Sequence, residues 1–185
     1  MKYCSNCSSR VERRVPEGDN KDRWVCLECE TIHYQNPLIV VGCIPEIDGK
    51  ILLCKRAIEP RYGYWTVPAG FMELGESIGE GAARETLEEA CAEVELGALF
   101  AAVDVPRAGQ LHLFFKARLI SDHAAGDETL ETALYAPEDI PWDDIAFQSG
   151  IFALRKYVED DGSDDSVRTH VIRTIKPDHS PLEGD

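Results

Sequence analysis

The chain has 185 residues, of which 44% are hydrophobic and 29% charged, a composition typical of a soluble protein with one core and space for a small module. Its formal net charge of −15 argues against a protein that coats nucleic acid, because such proteins bind phosphates through an excess of basic side chains. No apolar run reaches the roughly 18 residues of a membrane span, and the amino terminus lacks the apolar core of a signal peptide. We therefore expect a cytoplasmic protein without a membrane partner.

Four of the seven cysteines form two CxxC pairs within residues 1–36, with 18 residues between the pairs. This spacing is typical of a zinc ribbon, in which four thiolates complete a tetrahedral site. A redox CxxC is the alternative, but it usually occurs as one pair in a βαβ context. Residues 1–36 contain too few apolar side chains to fold without metal, so we predict a zinc-ribbon domain with a structural Zn²⁺. We expect His33 to be exposed to solvent or to contact substrate. The predicted zinc ligands are Cys4, Cys7, Cys26 and Cys29.

Residues 37–160 show the pattern of a mixed α/β domain. Apolar runs predict two strands that are joined by Asp48-Gly49, a dipeptide typical of a hairpin. Further strands and a second helix that packs on the sheet follow from the periodicity. The predicted strands cover residues 38–44, 50–56, 99–105, 111–119 and 132–135, and the second helix covers residues 146–158. We interpret residues 161–185 as an acidic, partly disordered tail with a short strand at residues 171–175.

The capping box Ser77-x-x-Glu80 predicts an acidic helix that begins at Ile78. The carboxylates at positions 85, 88 and 89 share one helix face and repel one another. A hard divalent cation such as Mg²⁺ or Mn²⁺ would offset this repulsion. A solvated acidic face is the alternative, but it does not explain why no lysine lies four residues away. The predicted apolar face consists of Ala83, Leu87, Ala90 and Val94.

This segment resembles the Nudix box, Gly-x5-Glu-x7-Arg-Glu-U-x-Glu-Glu-x-Gly-U, in which U is a bulky aliphatic residue. Three positions depart from the pattern: Thr86 and Ala92 occupy the aliphatic sites, and Cys91 replaces the last glycine. Cys91 would strain the end of the helix if a left-handed conformation is needed there. The residues that match the pattern are Gly70, Glu76, Arg84, Glu85, Glu88 and Glu89.

The resemblance implies an α/β/α sandwich with a mixed sheet, preceded by the zinc ribbon. It also implies metal-dependent hydrolysis of the pyrophosphate in a nucleoside diphosphate derivative, with Mg²⁺ or Mn²⁺ on the three helix carboxylates. Arg84 would orient those carboxylates with Glu76 as its partner, and Gly70 would let the loop turn before the helix. The general base stays open between Glu88, Glu89 and Glu131, although Glu131 is equally well an exposed residue at the start of a strand.

The zinc ribbon and the link YQNPLIVV resemble the NADH pyrophosphatase group within that family, but the group's Ser-Gln-Pro-Trp element does not occur here. The segment FAAVDVPRAGQLHLFFKARL is closer in character to enzymes that act on ADP-ribose or FAD. We therefore favour FAD or ADP-ribose over NADH, with AMP and a second phosphate ester as products. The predicted substrate contacts are Arg56, Arg61 and Arg107 for phosphates, and Tyr64 and Phe71 for stacking.

A nucleotide-sensing regulatory protein, whose ribbon contacts nucleic acid, is the alternative of another class. The ribbon contains six bases and six acids, so it offers no basic surface for that role. We therefore expect a nucleotide as substrate and no nucleic-acid partner. We also expect a homodimer as the assembly.

Overall fold

The computed structural model describes residues 1–160 and 162–174, and the chain forms two compact units, Met1–Asn36 and Pro37–Asp185. The part of the predicted disordered tail at residues 161 and 175–185 lies outside the described residues, whereas residues 162–174 are described. The predicted strand at residues 171–175 instead occupies Arg168–Val171. None of the described helices has the length and apolar character that a membrane crossing requires.

The first unit is a small antiparallel sheet of three strands: β1 (Val11–Arg14), β2 (Arg23–Cys26) and β3 (Ile32–His33). Few of its residues are buried, and two of those are cysteines. The buried positions are Cys4, Pro16, Val25 and Cys26. Because so little apolar surface is removed from water, this sheet needs a further source of folding free energy.

The second unit contains a mixed sheet of eight strands. Its central order is β10-β5-β4-β9-β8-β11, in which the β4–β9 and β8–β11 pairs are parallel and the other pairs are antiparallel. Two short strands, β6 and β7, add to β5 and β4. The strands are β4 (Leu38–Ile47), β5 (Lys50–Arg56), β6 (Trp65–Thr66), β7 (Ala69–Phe71), β8 (Val94–Val105), β9 (Gln110–Leu119), β10 (Thr129–Tyr135) and β11 (Arg168–Val171). The predicted hairpin at Asp48-Gly49 is confirmed between β4 and β5, and both residues have positive φ.

Within the described residues, one helix covers each face of this sheet. Helix α1 (Ile78–Ala90) packs over a cluster that includes Val41, Cys43 and Phe115. Helix α2 (Gln148–Val158) packs on the opposite face against a larger cluster around Leu53, Phe100 and Val103. The predicted three-layer α/β/α architecture with a mixed sheet is confirmed.

Helix α1 begins at Ile78 as predicted, with both hydrogen bonds of the capping box present. The predicted apolar face is correct only in part. Ala90 is fully buried, but Leu87 is 52% exposed, and the other buried positions include Gly81, Ala82 and Thr86. The helix lies too close to β4 for larger side chains there. A Cβ added to Gly81 would come within 2.9 Å of the Val41 side chain. The buried stripe therefore consists of small residues, and two of the glutamates share it.

Cys91 ends α1 in the left-handed conformation, with φ 47° and ψ 34°, as the missing glycine of the Nudix box suggested. A side chain in this region costs about 1 kcal/mol or more relative to glycine. We expect Cys91→Gly to raise the free energy of unfolding by about 1 kcal/mol, measured by urea denaturation. Cys91→Ala keeps the strained Cβ and is the control that should give no such gain. Equal stability of the two variants would contradict the strain.

Candidate metal centre and cleft

The Arg84 guanidinium joins the loop before α1 to the helix itself. Its Nε and Nη2 donate to the two carboxylate oxygens of Glu76 at 3.0 and 2.9 Å, and Nη2 also donates to the Phe71 carbonyl at 3.1 Å. This fork-to-fork pair is a strong, directional form of ion pair. Hydrogen bonds from Arg84 lower the pKa of Glu76 to about 2, so the pair stays charged over the physiological range.

The remaining guanidinium nitrogen of Arg84 reaches the acidic helix face. Its Nη1 donates to Glu85 Oε1 at 2.8 Å and to Glu88 Oε2 at 3.1 Å. One arginine thus holds carboxylates from the loop and from two successive turns in fixed positions. Its single positive charge cannot neutralise all of them.

Two carboxylates of this cluster are buried, since Glu85 is 8% and Glu89 is 9% exposed. Burial raises the pKa of Glu89 to about 7 and also raises the pKa of Glu85. Glu89 Oε2 accepts a hydrogen bond from the Ala69 N–H at 3.1 Å, which orients the carboxylate toward β7. A group of buried oxygen donors whose charge is incompletely balanced is the donor set that Mg²⁺ and Mn²⁺ prefer, so the residues present fit a hard divalent cation.

Gly70 lies within β7 and provides space for the Glu85 carboxylate. A Cβ added there would come within 2.3 Å of Glu85 Oε2 and within 2.5 Å of Oε1. The predicted turning role is wrong, because Gly70 has no positive φ, whereas Gly75 in the following loop has φ 93°. The glycine is required by the close approach of a carboxylate rather than by backbone conformation.

We expect Gly70→Ala to displace Glu85 and to lower kcat by about 10- to 100-fold, because misplacement by about 1 Å has effects of this size. Steady-state kinetics at saturating Mg²⁺ would measure it. Gly79→Ala is the matched control, since its Cβ would come no closer than 3.3 Å to the Leu96 side chain. That variant should keep its activity and gain up to about 1 kcal/mol of helix stability. Equal kcat in the two variants would show that Gly70 provides no space for the site.

The carboxylates open into one large cleft of about 1550 Å³ within the second unit. Four predicted substrate contacts line this cleft: Arg56, Arg61, Tyr64 and Phe71. Arg107 does not belong to it, because it lies exposed on the turn between β8 and β9. Its expected contact with substrate is therefore not supported by its position.

Glu131 is also absent from the cleft, so its interpretation as a candidate base is wrong. It is exposed on β10 and forms an ion pair with Lys55 at 3.7 Å. The Lys55 ammonium lies 5.5 Å from the centre of the Trp65 ring, which belongs to the core under α2. Glu131 thus faces the side of the sheet opposite the α1 carboxylates.

Sequence reasoning missed the loop before β10, where Glu128 lines the cleft. Its charge contributes to the raised pKa values of Glu85 and Glu89. The loop is held to the end of α1, since the Gly126 N–H donates to the Glu89 carbonyl at 3.1 Å. A Cβ on Gly126 would come within 1.8 Å of the Glu88 carbonyl oxygen. In the sequence, Gly126-Asp127-Glu128 indicates an acidic turn, but nothing in its spacing from α1 predicts that it lies beside the helix.

The first unit contains a separate group of sulfur ligands. The Sγ atoms of Cys4, Cys7, Cys26 and Cys29 all lie within 4.8 Å of one another, with a 3.7 Å contact between the first and last and a 3.4 Å contact between the middle two. Tetrahedral zinc with Zn–S bonds of about 2.3 Å needs sulfurs about 3.8 Å apart, so this group fits Zn²⁺. His33 is half-buried rather than exposed, with Nε2 3.3 Å from the Cys4 sulfur.

Comparison with protein-family models gives one match for each unit. A zinc-ribbon model described as Nudix N-terminal matches residues 2–35, and a model of the NUDIX domain matches residues 36–154. Among solved structures, a NUDIX hydrolase from Nitrosomonas europaea has 48% sequence identity and a TM-score of 0.89. The similarity covers 93% of this chain and 99% of that one.

Two named relatives differ in what their names say they act on. The NAD-capped RNA hydrolase NudC of Vibrio atlanticus (strain LGP32) is 30% identical over 149 residues, which are 78% of this chain and 50% of that protein. The ADP-ribose pyrophosphatase of Methanocaldococcus jannaschii is 45% identical over 56 residues, 30% of this chain and 33% of that protein. The chain therefore spans about half the length, or less, of these curated relatives.

Proposed function

The chain belongs to the Nudix family of hydrolases, and we propose that it hydrolyses the pyrophosphate bond of an adenosine diphosphate derivative, with ADP-ribose or FAD favoured. The observation that carries the proposal is the cluster of Glu85, Glu88 and Glu89 at the end of a large cleft. A pyrophosphate has two adjacent anionic groups, and the cluster is itself anionic, so a cation must lie between them.

We infer that these three glutamates hold Mg²⁺ or Mn²⁺, with Glu128 available from the facing loop. The metal would neutralise the pyrophosphate and lower the pKa of a water molecule. Arg84 keeps the carboxylates in place through its bonds to Glu76. Glu89 is held by the Ala69 N–H of β7 and Glu85 by Arg84, so little reorganisation is needed when substrate binds.

The base that takes the proton from the attacking water is a carboxylate with access to the cleft. Glu88 and Glu128 are both exposed and line the cleft, whereas Glu89 is oriented by the Ala69 N–H and is better suited to hold metal. Glu128 therefore replaces Glu131 among the candidate bases. Arg56 and Arg61 would contact the phosphates, and Tyr64 and Phe71 would stack on the organic groups.

NADH or an NAD-capped RNA end is the second candidate substrate, because relatives that match up to 78% of this chain are named for the capped RNA. Our expectation that nucleic acid is not a partner is weakened by those names. The missing Ser-Gln-Pro-Trp element still favours ADP-ribose or FAD. The homodimer also stays a prediction, which sedimentation analysis would check.

A substrate panel at fixed Mg²⁺ tests the proposal, with ADP-ribose, FAD, NADH, an NAD-capped oligonucleotide and ATP as substrates. We expect AMP and a second phosphate ester from ADP-ribose or FAD, and a lower kcat/KM for the others. Product identification by mass spectrometry separates cleavage within the pyrophosphate from cleavage elsewhere. Release of nicotinamide mononucleotide from the NAD-capped oligonucleotide, with an RNA that keeps a 5′-monophosphate as the other product, would replace the first candidate by the second if this substrate were preferred.

A further inference from the structure

A hydrogen-bonded chain of three polar side chains lines the same cleft on the α2 side of the sheet. Ser149 Oγ lies 2.8 Å from His112 Nδ1, and His112 Nε2 lies 2.9 Å from Gln110 Oε1. Gln110 and His112 are two residues apart on strand β9 and so lie on the same face, and Ser149 is in the first turn of α2. All three residues line the cleft, and Ser149 is 3% exposed.

The direction of these hydrogen bonds follows from burial. Among the described residues, His112 Nδ1 is the partner of the buried Ser149 hydroxyl, so the hydroxyl donates its proton there and avoids an unsatisfied donor. Nδ1 is then the acceptor nitrogen of a neutral imidazole, and Nε2 carries the proton. Burial also lowers the pKa of His112, which favours the neutral ring. The Nε2–H group donates to an oxygen, which fixes the amide of Gln110 with Oε1 toward His112.

This orientation leaves Gln110 with two groups for a ligand in the cleft: the amide NH₂ and the second lone pair of Oε1. A donor beside an acceptor complements the N7 acceptor and N6 donor of adenine, the pair that glutamine binds in a bidentate manner. A 6-oxo purine presents two acceptors on the same edge, so its O6 would face the glutamine oxygen without a shared proton. The buried side chains of Val105 and Phe114 line the same part of the cleft and give a base an apolar surface.

We propose that Gln110 is a specificity-determining residue that recognises the adenine edge of the substrate, and that Ser149 and His112 are positioning residues that set the orientation of its amide. The proposal rests on the proposed function for the identity of the diphosphate substrate. It adds the group that selects the base, and it assigns the β9–α2 side of the cleft to the AMP half. With its amide held in this orientation, Gln110 would reject hypoxanthine and guanine, because its Oε1 would face their O6 and both atoms are acceptors.

The test compares ADP-ribose with its hypoxanthine analogue, in which an oxygen replaces the 6-amino group. We expect wild type to prefer adenine by about 10- to 100-fold in kcat/KM, mainly through KM, which is the usual discrimination of one bidentate pair. Gln110→Leu should reduce the preference to about threefold or less. Gln110→Glu keeps an acceptor for His112 and for the 6-amino group but loses the donor to N7, which both bases share. Both substrates should therefore bind more weakly, while the preference for adenine should persist.

Ser149→Ala tests the positioning role. Without the hydroxyl donor, His112 can change tautomer and the Gln110 amide can rotate, so the base preference should fall although no group that contacts the base is removed. Long-range ¹H–¹⁵N correlation spectra of the imidazole should show Nε2 protonated in wild type and a changed pattern in the variant. Thr132→Val is the matched control. It breaks another hydroxyl–imidazole contact, the 2.9 Å contact between Thr132 Oγ1 and His123 Nδ1, and neither residue lines the cleft.

Equilibrium binding of AMP and IMP, measured by calorimetry, tests Gln110 without turnover. Failure to hydrolyse ADP-ribose would defeat the proposed function, while the AMP/IMP ratio would still decide the role of Gln110. Equal affinity of wild type for AMP and IMP would overturn the inference. A preference for AMP that persists in Gln110→Leu would overturn it as well.

Discussion

The double variant Glu88→Gln, Glu89→Gln is expected to lose activity and gain stability at the same time. Loss of two metal ligands should lower kcat on the order of 10³-fold or more, since a bound metal supplies several kcal/mol of transition-state stabilisation. The same change removes a carboxylate that is 9% exposed and repelled by Glu85. In Mg²⁺-free buffer, the free energy of unfolding should rise by roughly 0.5–2 kcal/mol. Steady-state kinetics and urea denaturation would measure the two effects.

Glu93→Gln is the matched control for this prediction. Glu93 is exposed and lies outside the cleft, so its neutralisation changes the net charge of the same region without touching the cluster. Its activity and stability should equal those of wild type. Turnover that survives in the double variant would overturn the assignment of these carboxylates as the metal site. If stability fell together with activity, the carboxylates would have a structural role in the fold rather than a role in metal binding.

Activity and stability are expected to change in opposite directions because of the contacts that Glu89 makes. Glu89 keeps an orienting bond to the Ala69 N–H, and a glutamine oxygen can accept that bond equally well. The buried negative charge contributes nothing to folding that the neutral amide lacks. The charge is needed for metal binding, and in the metal-free protein it lowers the free energy of unfolding.

The sequence predicted those parts of the site that depend on local spacing. Positions 85, 88 and 89 fall within one and a half helical turns, so helix geometry alone brings the carboxylates together. The capping box and the Asp48-Gly49 hairpin are local in the same sense, and both are confirmed. The left-handed conformation of Cys91 followed from the helix end itself.

The parts that sequence reasoning missed depend on register and on the distance between layers. Glu131 pairs opposite Lys55 and so faces the α2 side of the sheet; a shift of one residue in register would turn it toward the α1 carboxylates. The exposure of Leu87 follows from the close packing of α1 on β4, which local periodicity does not encode. Ser149 and His112 are separated by 37 residues, so their contact exists only after α2 has packed on β9.

Removal of zinc is expected to unfold residues 1–36 and to leave the second unit folded. The ribbon sheet buries few side chains, and units of this size usually require metal, disulfides or oligomerisation for stability. Four thiolates spaced for tetrahedral zinc provide the missing free energy, which is about 10–16 kcal/mol for structural zinc peptides. The second unit has its own apolar clusters on both faces of its sheet and needs no such contribution.

Hydrogen exchange read by mass spectrometry would follow the two units separately after chelation or in Cys26→Ser. Amides of β1 to β3 should lose protection, while amides of β4, β5, β8 and β9 should keep it. Cys91→Ser is the control, because Cys91 is exposed and outside the cluster, so β1 to β3 should stay protected there. Loss of protection across the whole chain would mean that the second unit depends on the ribbon. The division into a zinc-ribbon domain and a Nudix domain would then fail, because two independent domains cannot unfold as one when a single metal leaves.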